Sequence, residues 1–332
     1  MFFSIITPVF NRPDEMNELL QSLVLQNITE NFEVVIVEDG STISCENEVD
    51  KFKLNLNISY FLKYNSGPGD SRNFGMNLAK GEYFILFDSD CIIPPDYLSQ
   101  VSKSLQNDYV DFYGGPDKAD STFSNIQKAI NFAMTSFLST GGIRGGSEKL
   151  NTFEPRSFNM GLSRKAFDAS KGFKNIHPGE DPDLSIRLWE LGFKSKLISE
   201  AFVYHKRRID FKRFSEQVNK FGKVRPILNS WHPEYAKPTF YLPALFVIGF
   251  FISIVLIIFL KDFLIKLYCL YFFLIFIVSS IQNKNITIGY LSVKAVWKQF
   301  FGYGLGFIES YFKIIIQNKE PEKVFPELFF KE

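Results

Sequence analysis

Several of the usual sources of fold stability and binding are missing from this 332-residue sequence. There are only three cysteines, Cys45, Cys91 and Cys269, far apart and without metal-ligand spacing. An odd count with no secretory leader excludes a disulfide framework and predicts reduced thiols in a cytosolic compartment. Charge of either sign is not in surplus: the formal net charge is +1, so no global field draws in nucleic acid or an acidic partner. The N-terminus, MFFSIITPVFN, has no basic region, and its apolar run is too short for a signal peptide, which predicts that the folded part stays in the cytoplasm. Glycine is absent from residues 8–15, and Gly67-Pro68-Gly69 matches neither a Walker loop nor G-x-G-x-x-G. No internal repeat or low-complexity tract is present.

Aromatics, by contrast, are abundant: 17% of the chain, with 38 Phe whose density is highest after residue 239. Residues 240–260 carry no charge, and about 20 such residues cross a bilayer core. After Lys261-Asp262, residues 263–281 form a second apolar stretch broken only by Lys266, which can snorkel, so a transmembrane helical hairpin is expected over 239–281. The mix of Trp297, Phe300, Phe301 and Phe307 with Lys294, Lys298 and Lys313 reads as an interfacial helix, leaving 286–332 as interfacial helix and tail. Eight basic residues over 206–225, set against Asp210 and Glu216, orient the preceding domain to the cytoplasm. Packing of the apolar tail as a helical domain or dimer interface is the alternative.

The first 230 residues alternate strand and helix signals. Residues 2–7 read as a buried strand, Asn11 as the cap of the next helix, and Met16, Leu19, Leu20 and Leu23 as its apolar face. Strands are expected over 32–37, 59–62, 83–87 and 111–113, and helices over 71–79, 94–105, 126–138 and 181–191. Strand, helix and strand joined by short connections predict an α/β domain over 1–230, a mostly parallel sheet flanked by helices, followed by a C-terminal α-helical membrane region. The glycine-rich segment 141–146 reads as a mobile loop, a plausible active-site lid.

Ligands of parallel α/β sheets bind beyond the carboxyl ends of the strands, where Asp39 and the Asp88/Asp90 pair fall. Carboxylates two apart in an extended segment point the same way and suit a hard divalent cation bridging a diphosphate; a turn with solvated carboxylates is the bland alternative. Free N–H groups after Gly67 and the Arg72 guanidinium suit phosphate, although a tight turn beside a surface arginine would look the same. Glu180-Asp181 opens a helix and offers a general base, or merely a cap. His205 is a third metal ligand or a structural histidine.

Taken together these segments resemble family 2 glycosyltransferases of the GT-A, Rossmann-like fold. The matching stretches are SIITPVFNR at 4–12, VVIVEDGST at 34–42, GPGDSRNFGMNLAKGEYFILFDSDC at 67–91, Gly114-Gly115, FNMGLSRKAF at 158–167 and GEDPDLSIRLWELG at 179–192. The resemblance implies that Thr7, Pro8 and Asn11 line a nucleotide pocket, Asp39 bonds the base or ribose, Arg72 lies near the phosphates, and Asp88 contacts the ribose. It implies Mg2+ or Mn2+ on Asp90 and Asp88, with His205 as an added ligand, Asp181 as catalytic base and Glu180 near the acceptor. The implied reaction is inverting transfer from a nucleotide-diphosphate sugar, a UDP-sugar favoured, to a glycan or lipid-linked acceptor in polysaccharide biosynthesis at the cytoplasmic membrane. Glu38-Asp39 stands where two aspartates are common, and Gln217-Val218-Asn219-Lys220-Phe221 departs from the Gln-x-x-Arg-Trp signature of processive synthases. The competing readings are a sugar nucleotidyltransferase, which normally carries a basic glycine-rich loop where residues 8–15 lack glycine, and a non-catalytic nucleotide-sugar-binding membrane protein.

Overall fold

In the computed structural model, residues 1–118, 123–140, 153–206 and 210–330 are described. The 141–146 segment read as a lid lies outside them. The chain divides into two compact units, which over the described residues comprise 1–118, 153–206 and 329–330, and 123–140 and 210–328.

The first unit is built on ten strands: β1 (Phe3–Val9), β2 (Phe32–Asp39), β3 (Ile58–Lys63), β4 (Tyr83–Phe87), β5 (Cys91–Ile92), β6 (Phe112–Gly114), β7 (Asp117–Lys118), β8 (Asn159–Ser163), β9 (Ser195–Leu197) and β10 (Val203–His205). Seven of them form one sheet in the order β3-β2-β1-β4-β8-β6-β9. The first four run parallel; β8 is antiparallel to both of its neighbours, and β9 pairs parallel with β6. β1, FSIITPV, is buried along its whole length, as expected of a parallel strand covered on both faces. Side chains alternate across it: Phe3 and Ile5 join Met16, Leu19 and Leu20 of the helix Pro13–Val24 on one face, while Ile6 joins Met76, Phe84 and Leu86 on the other. Chain order reverses between β1 and β4, which places the topological switch point there.

Asn11 does not cap the Pro13–Val24 helix. The N-cap is Arg12, with no side-chain cap bond, and Asn11 sits at φ 55. Its Oδ1 accepts from the backbone N–H of Thr42 (2.8 Å) and Ile43 (2.9 Å), while its own N–H donates to Ser41 Oγ (2.8 Å). A contact that ties the end of β1 to the turn after β2 has displaced the local capping bond. The helix starts instead on Pro13 at its first turn, with Asp14 and Glu15 favoured by the dipole.

In the second unit the helix Ile286–Ser310 packs against the helices Asn125–Thr135, Phe211–Trp231, Leu242–Ile258 and Phe263–Gln282. Glycines let the backbones meet: a Cβ at Gly306 would lie 2.4 Å from Asn219 O, and one at Gly222 would lie 2.1 Å from Tyr303 O. The segment expected to be interfacial by its aromatics and lysines is thus, within this unit, a helix that packs against these four. Two helices, Pro238–Ile258 and Phe263–Gln282, are long and apolar enough to cross a membrane. Lys266, expected to snorkel, pairs with Asp262 at 2.7 Å beside the turn between them. Gln217–Phe221 lies inside the Phe211–Trp231 helix, where Asn219 Nδ2 donates to Gly302 O (3.1 Å).

Candidate active site

The switch point collects the residues singled out by sequence. Thr7 at the end of β1 is fully buried, and its Oγ1 has no hydrogen-bond partner among the described residues; Pro8 beside it is also buried. Asp39 ends β2 and is 4% exposed. Its Oδ1 accepts from Ser66 N (3.0 Å) and Lys63 Nζ (3.2 Å), and its Oδ2 from Gly67 N (2.9 Å), so it shapes the loop that enters the helix Pro68–Leu78. Its neighbour Glu38 is spent on structure, accepting from Cys45 N (2.9 Å) and Tyr60 OH (2.8 Å).

Arg72, 3% exposed, joins two carboxylate groups that lie far apart in sequence. Its Nη2 donates to Asp88 Oδ1 at 2.5 Å, and its Nη1 lies 3.7 Å from Glu180 Oε1. The guanidinium carbon lies 5.5 Å from the centroid of the Phe173 ring, whose backbone is gripped by Asn73: Nδ2 donates to Phe173 O (2.8 Å) and Phe173 N donates to Oδ1 (2.8 Å). Burial disfavours a charged arginine, but Asp88, Asp181 and Glu180 outweigh it and keep Arg72 ionised.

Glu180 and Asp181 are adjacent, yet their environments differ. Burial opposes charge on Glu180, but His177, whose Nδ1 is 2.8 Å from Oε1, and Arg72 hold its pKa down at about 2. For His177 burial works against the proton, and Glu180 more than compensates. Asp181 is pushed up to about 6, by burial first and then by the Glu180 charge, despite Arg72 and the Ser157 hydroxyl. Its Oδ1 is buried and has no hydrogen-bond partner among the described residues. A carboxyl with a raised pKa and one oxygen left unbonded, beside one that is acidic and paired, is the division expected of a general base and its electrostatic support.

Asp90, 8% exposed, is held from two sides: Arg12 Nη1 donates to its Oδ2 (2.7 Å), and His205 Nε2 is 3.2 Å from its Oδ1. Antiparallel pairing of β5 with β10 sets His205 opposite Cys91, and Phe158 stacks on the imidazole at 4.3 Å. Asp90, Cys91 and His205 each bring a ligand atom to within 4.8 Å of the others. A hard divalent cation fits the oxygen and nitrogen of this set. Cys91 is a poor third ligand, because burial and the nearby Asp90 and Asp88 keep its thiol protonated while Sγ points to Phe158 O (3.5 Å).

Arg12, Lys63, His177, Ser157 and Phe158 also belong to this neighbourhood, and sequence reading passed over their roles. Only His177 carried a local signal, standing three residues before Glu180.

A mostly parallel sheet flanked by helices, with carboxylates and a buried arginine at its switch point, is the architecture of the GT-A fold. The family model for glycosyl transferase family 2 matches residues 4–170, and the chain belongs to that family. It is 36% identical over 114 residues to a poly(ribitol-phosphate) β-N-acetylglucosaminyltransferase, TarS of Staphylococcus aureus, a match spanning 33% of this chain and 20% of that protein. A poly(ribitol-phosphate) β-glucosyltransferase of Bacillus spizizenii is 36% identical over 115 residues, 32% of this chain and 18% of the relative. The chain therefore matches about a fifth of the length of these curated relatives. Among solved structures, residues 1–349 of S. aureus TarS superpose with a TM-score of 0.54 at 18% identity, covering 96% of this chain and 92% of that one. A mannosyltransferase of Pyrobaculum calidifontis in complex with GDP-Man and Mn2+ superposes with a TM-score of 0.58 at 12% identity, covering 96% and 88%.

Proposed function

We propose that the chain is a metal-dependent inverting glycosyltransferase that moves a sugar from a nucleotide-diphosphate donor to a hydroxyl of a glycan or lipid-linked acceptor at a membrane. The observation that carries this reading is the Glu180–Asp181 pair near Arg72: Asp181 is raised to about 6 with Oδ1 unbonded, while Glu180 is tied to His177 and Arg72. Asp181 takes the acceptor proton as the hydroxyl attacks the anomeric carbon in a single displacement. Arg72, with Nε and Nη1 unbonded in a buried place, offers two donors to a diphosphate. Asp90 and His205 would hold the cation, with Asp88 beside them; bound there it would act as a Lewis acid toward the departing diphosphate. Solved S. aureus TarS complexes hold UDP and UDP-GlcNAc, which supports a UDP-sugar as donor. The apolar helices Pro238–Ile258 and Phe263–Gln282 support anchorage in the cytoplasmic membrane, with the first unit on the cytoplasmic side by the count of basic residues.

The test is incubation of membranes carrying the chain with labelled nucleotide sugars and a lipid or glycan extract. Label should pass to glycan or lipid with the wild type, and not with Asp181→Asn, which should still bind donor. Full transfer by Asp181→Asn would reject the assignment of the base; label recovered as newly made nucleotide sugar would favour a nucleotidyltransferase.

A further inference from the structure

Phe329 and Phe330 belong to the first unit, although residues 207–328 separate them from the rest of it. Phe330 is held by its peptide. Asn175 Nδ2 donates to Phe330 O (2.7 Å), and Phe330 N donates to Asn175 Oδ1 (2.9 Å), so one carboxamide satisfies both backbone groups as a neighbouring strand would. It is the same device by which Asn73 grips Phe173 under Arg72.

The ring so anchored lies on two parts of the site. One is Gly67, at φ +93, where a Cβ would stand 2.2 Å from the Phe330 ring; on its other side Gly67 is held through its N–H by Asp39 Oδ2 (2.9 Å). The second is His177, with ring centroids 6.1 Å apart and Nδ1 of that imidazole 2.8 Å from Glu180 Oε1. Between these contacts is a polar cavity of about 120 Å³ whose lining includes Ser66, Asp70, Asn73, Lys174 and Asn175, with Phe330 at its edge. Phe330 itself is half-buried and belongs to neither hydrophobic cluster of the sheet, so it contributes little to the core. Its contacts are with the loop held by Asp39 and with the partner of Glu180.

We propose that Phe330, clasped by Asn175, is a positioning residue of the transfer reaction that fixes the Gly67 loop on the donor side and the His177 ring behind Glu180 at the same time. The inference rests on the glycosyltransferase reading above. It separates from a simple tail anchor because an anchor would alter unfolding without altering the behaviour of the carboxylate pair.

Two variants test it: Phe330→Ala removes the ring and keeps the clasp, and Asn175→Ala does the reverse. Each should lower kcat about tenfold with a smaller change in donor KM, and move the acid limb of the pH–rate profile to lower pH as water reaches the His177–Glu180 pair. The double variant should lose no more than the worse single one, because ring and clasp act as one unit. Phe330→Tyr should restore kcat. Independently of activity, hydrogen exchange at the Ser66 and Gly67 amides should quicken at least tenfold in Phe330→Ala. A Phe330→Ala chain with wild-type exchange at those amides and an unmoved pH profile sinks the proposal, and so does one that fails to fold, since the ring would then be core. If exchange quickens but neither wild type nor variant transfers sugar, the clasp stands and the proposed reaction falls.

Discussion

Asp181→Asn should stabilise the protein while it abolishes transfer. The argument is a linkage one. The Asp181 pKa is about 6 in the folded chain against an ordinary value of 3.8. A raised carboxyl pKa means that the folded state holds the proton more tightly than the unfolded state, so stability falls as pH rises from below 3.8 through 6. At pH 7.5 the ionised side chain costs about 3 kcal/mol, from about 1.36 kcal/mol per pH unit over the gap between the two values. At pH 4.5 the folded chain keeps its proton while the unfolded chain has largely lost its own, and the cost shrinks to about 1 kcal/mol. Asparagine approximates the neutral form at every pH. Unfolding of wild type and Asp181→Asn in the same detergent should show the variant ahead by up to about 3 kcal/mol at pH 7.5, narrowing toward about 1 kcal/mol at pH 4.5. A variant less stable than wild type at pH 7.5, or a gap independent of pH, would refute the claim that Asp181 is held ionised against its surroundings.

Glu180→Gln removes the second contributor to that rise but leaves burial, the first; the acid limb of kcat/KM should move partway from about 6 toward 3.8, and an unmoved limb in a pH–rate profile would show that the Glu180 charge is not felt at Asp181. Asp90→Ala should weaken nucleotide binding at least tenfold in the presence of Mn2+ and little without it, read by calorimetric titration with and without the metal; equal losses in both would remove Asp90 from the cation site. Asn11→Ala deletes the acceptor shared by Thr42 N and Ile43 N and leaves an alanine at φ 55, so it should cost on the order of 1–3 kcal/mol in unfolding; Asn11→Gly should cost less, since glycine adopts that conformation freely.

The parts of the fold that sequence reveals are those with long periodic signals. β1, β2 and β4 are interior strands that carry apolar runs, Ile5-Ile6 in β1, Val34–Val37 in β2 and Tyr83–Phe87 in β4, and the Pro13–Val24 helix shows its buried face at Met16, Leu19, Leu20 and Leu23. β5, β7, β9 and β10 are two or three residues long, too short for any period, yet β5 and β10 bring His205 to Asp90. β8, Asn-Met-Gly-Leu-Ser, lacks the β-branched residues that mark a strand; Gly161 is there because a Cβ would stand 1.8 Å from the Tyr113 ring. The helix expected over 126–138 stops at Thr135 and resumes at Phe137, a break that apolar periodicity does not register. In the site, spacing located Asp88, Asp90, Glu180 and Asp181, because each pair lies within three residues. Arg72 was legible as a candidate phosphate ligand, but the pairings of the cations with these carboxylates were not: Arg12 reaches Asp90 across 78 positions and Arg72 reaches Asp88 across 16, and no local pattern encodes either.

Satisfaction of buried polar atoms distinguishes this site from the scaffold around it. Away from the switch point the first unit pairs its buried groups closely: Ser4 Oγ donates to Glu33 and accepts from Gly81 N, and Asn159 is bonded at both ends to Tyr97 and Ala201. Among the described residues, its buried side-chain atoms left without a hydrogen bond include Thr7 Oγ1, Nε and Nη1 of Arg72, Asp181 Oδ1, His205 Nδ1 and Ser185 Oγ. Ser185 stands inside the helix Glu180–Glu190, where its hydroxyl can turn to a carbonyl one turn back. All the rest belong to residues assigned to the site from sequence. Each such atom costs roughly 1–3 kcal/mol if nothing completes it, too much to leave by chance in a fold only 5–15 kcal/mol more stable than its unfolded chain. A diphosphate against Arg72 and an acceptor hydroxyl against Asp181 would each supply a missing partner, so the proposed donor and acceptor would complete atoms that the fold leaves unbonded.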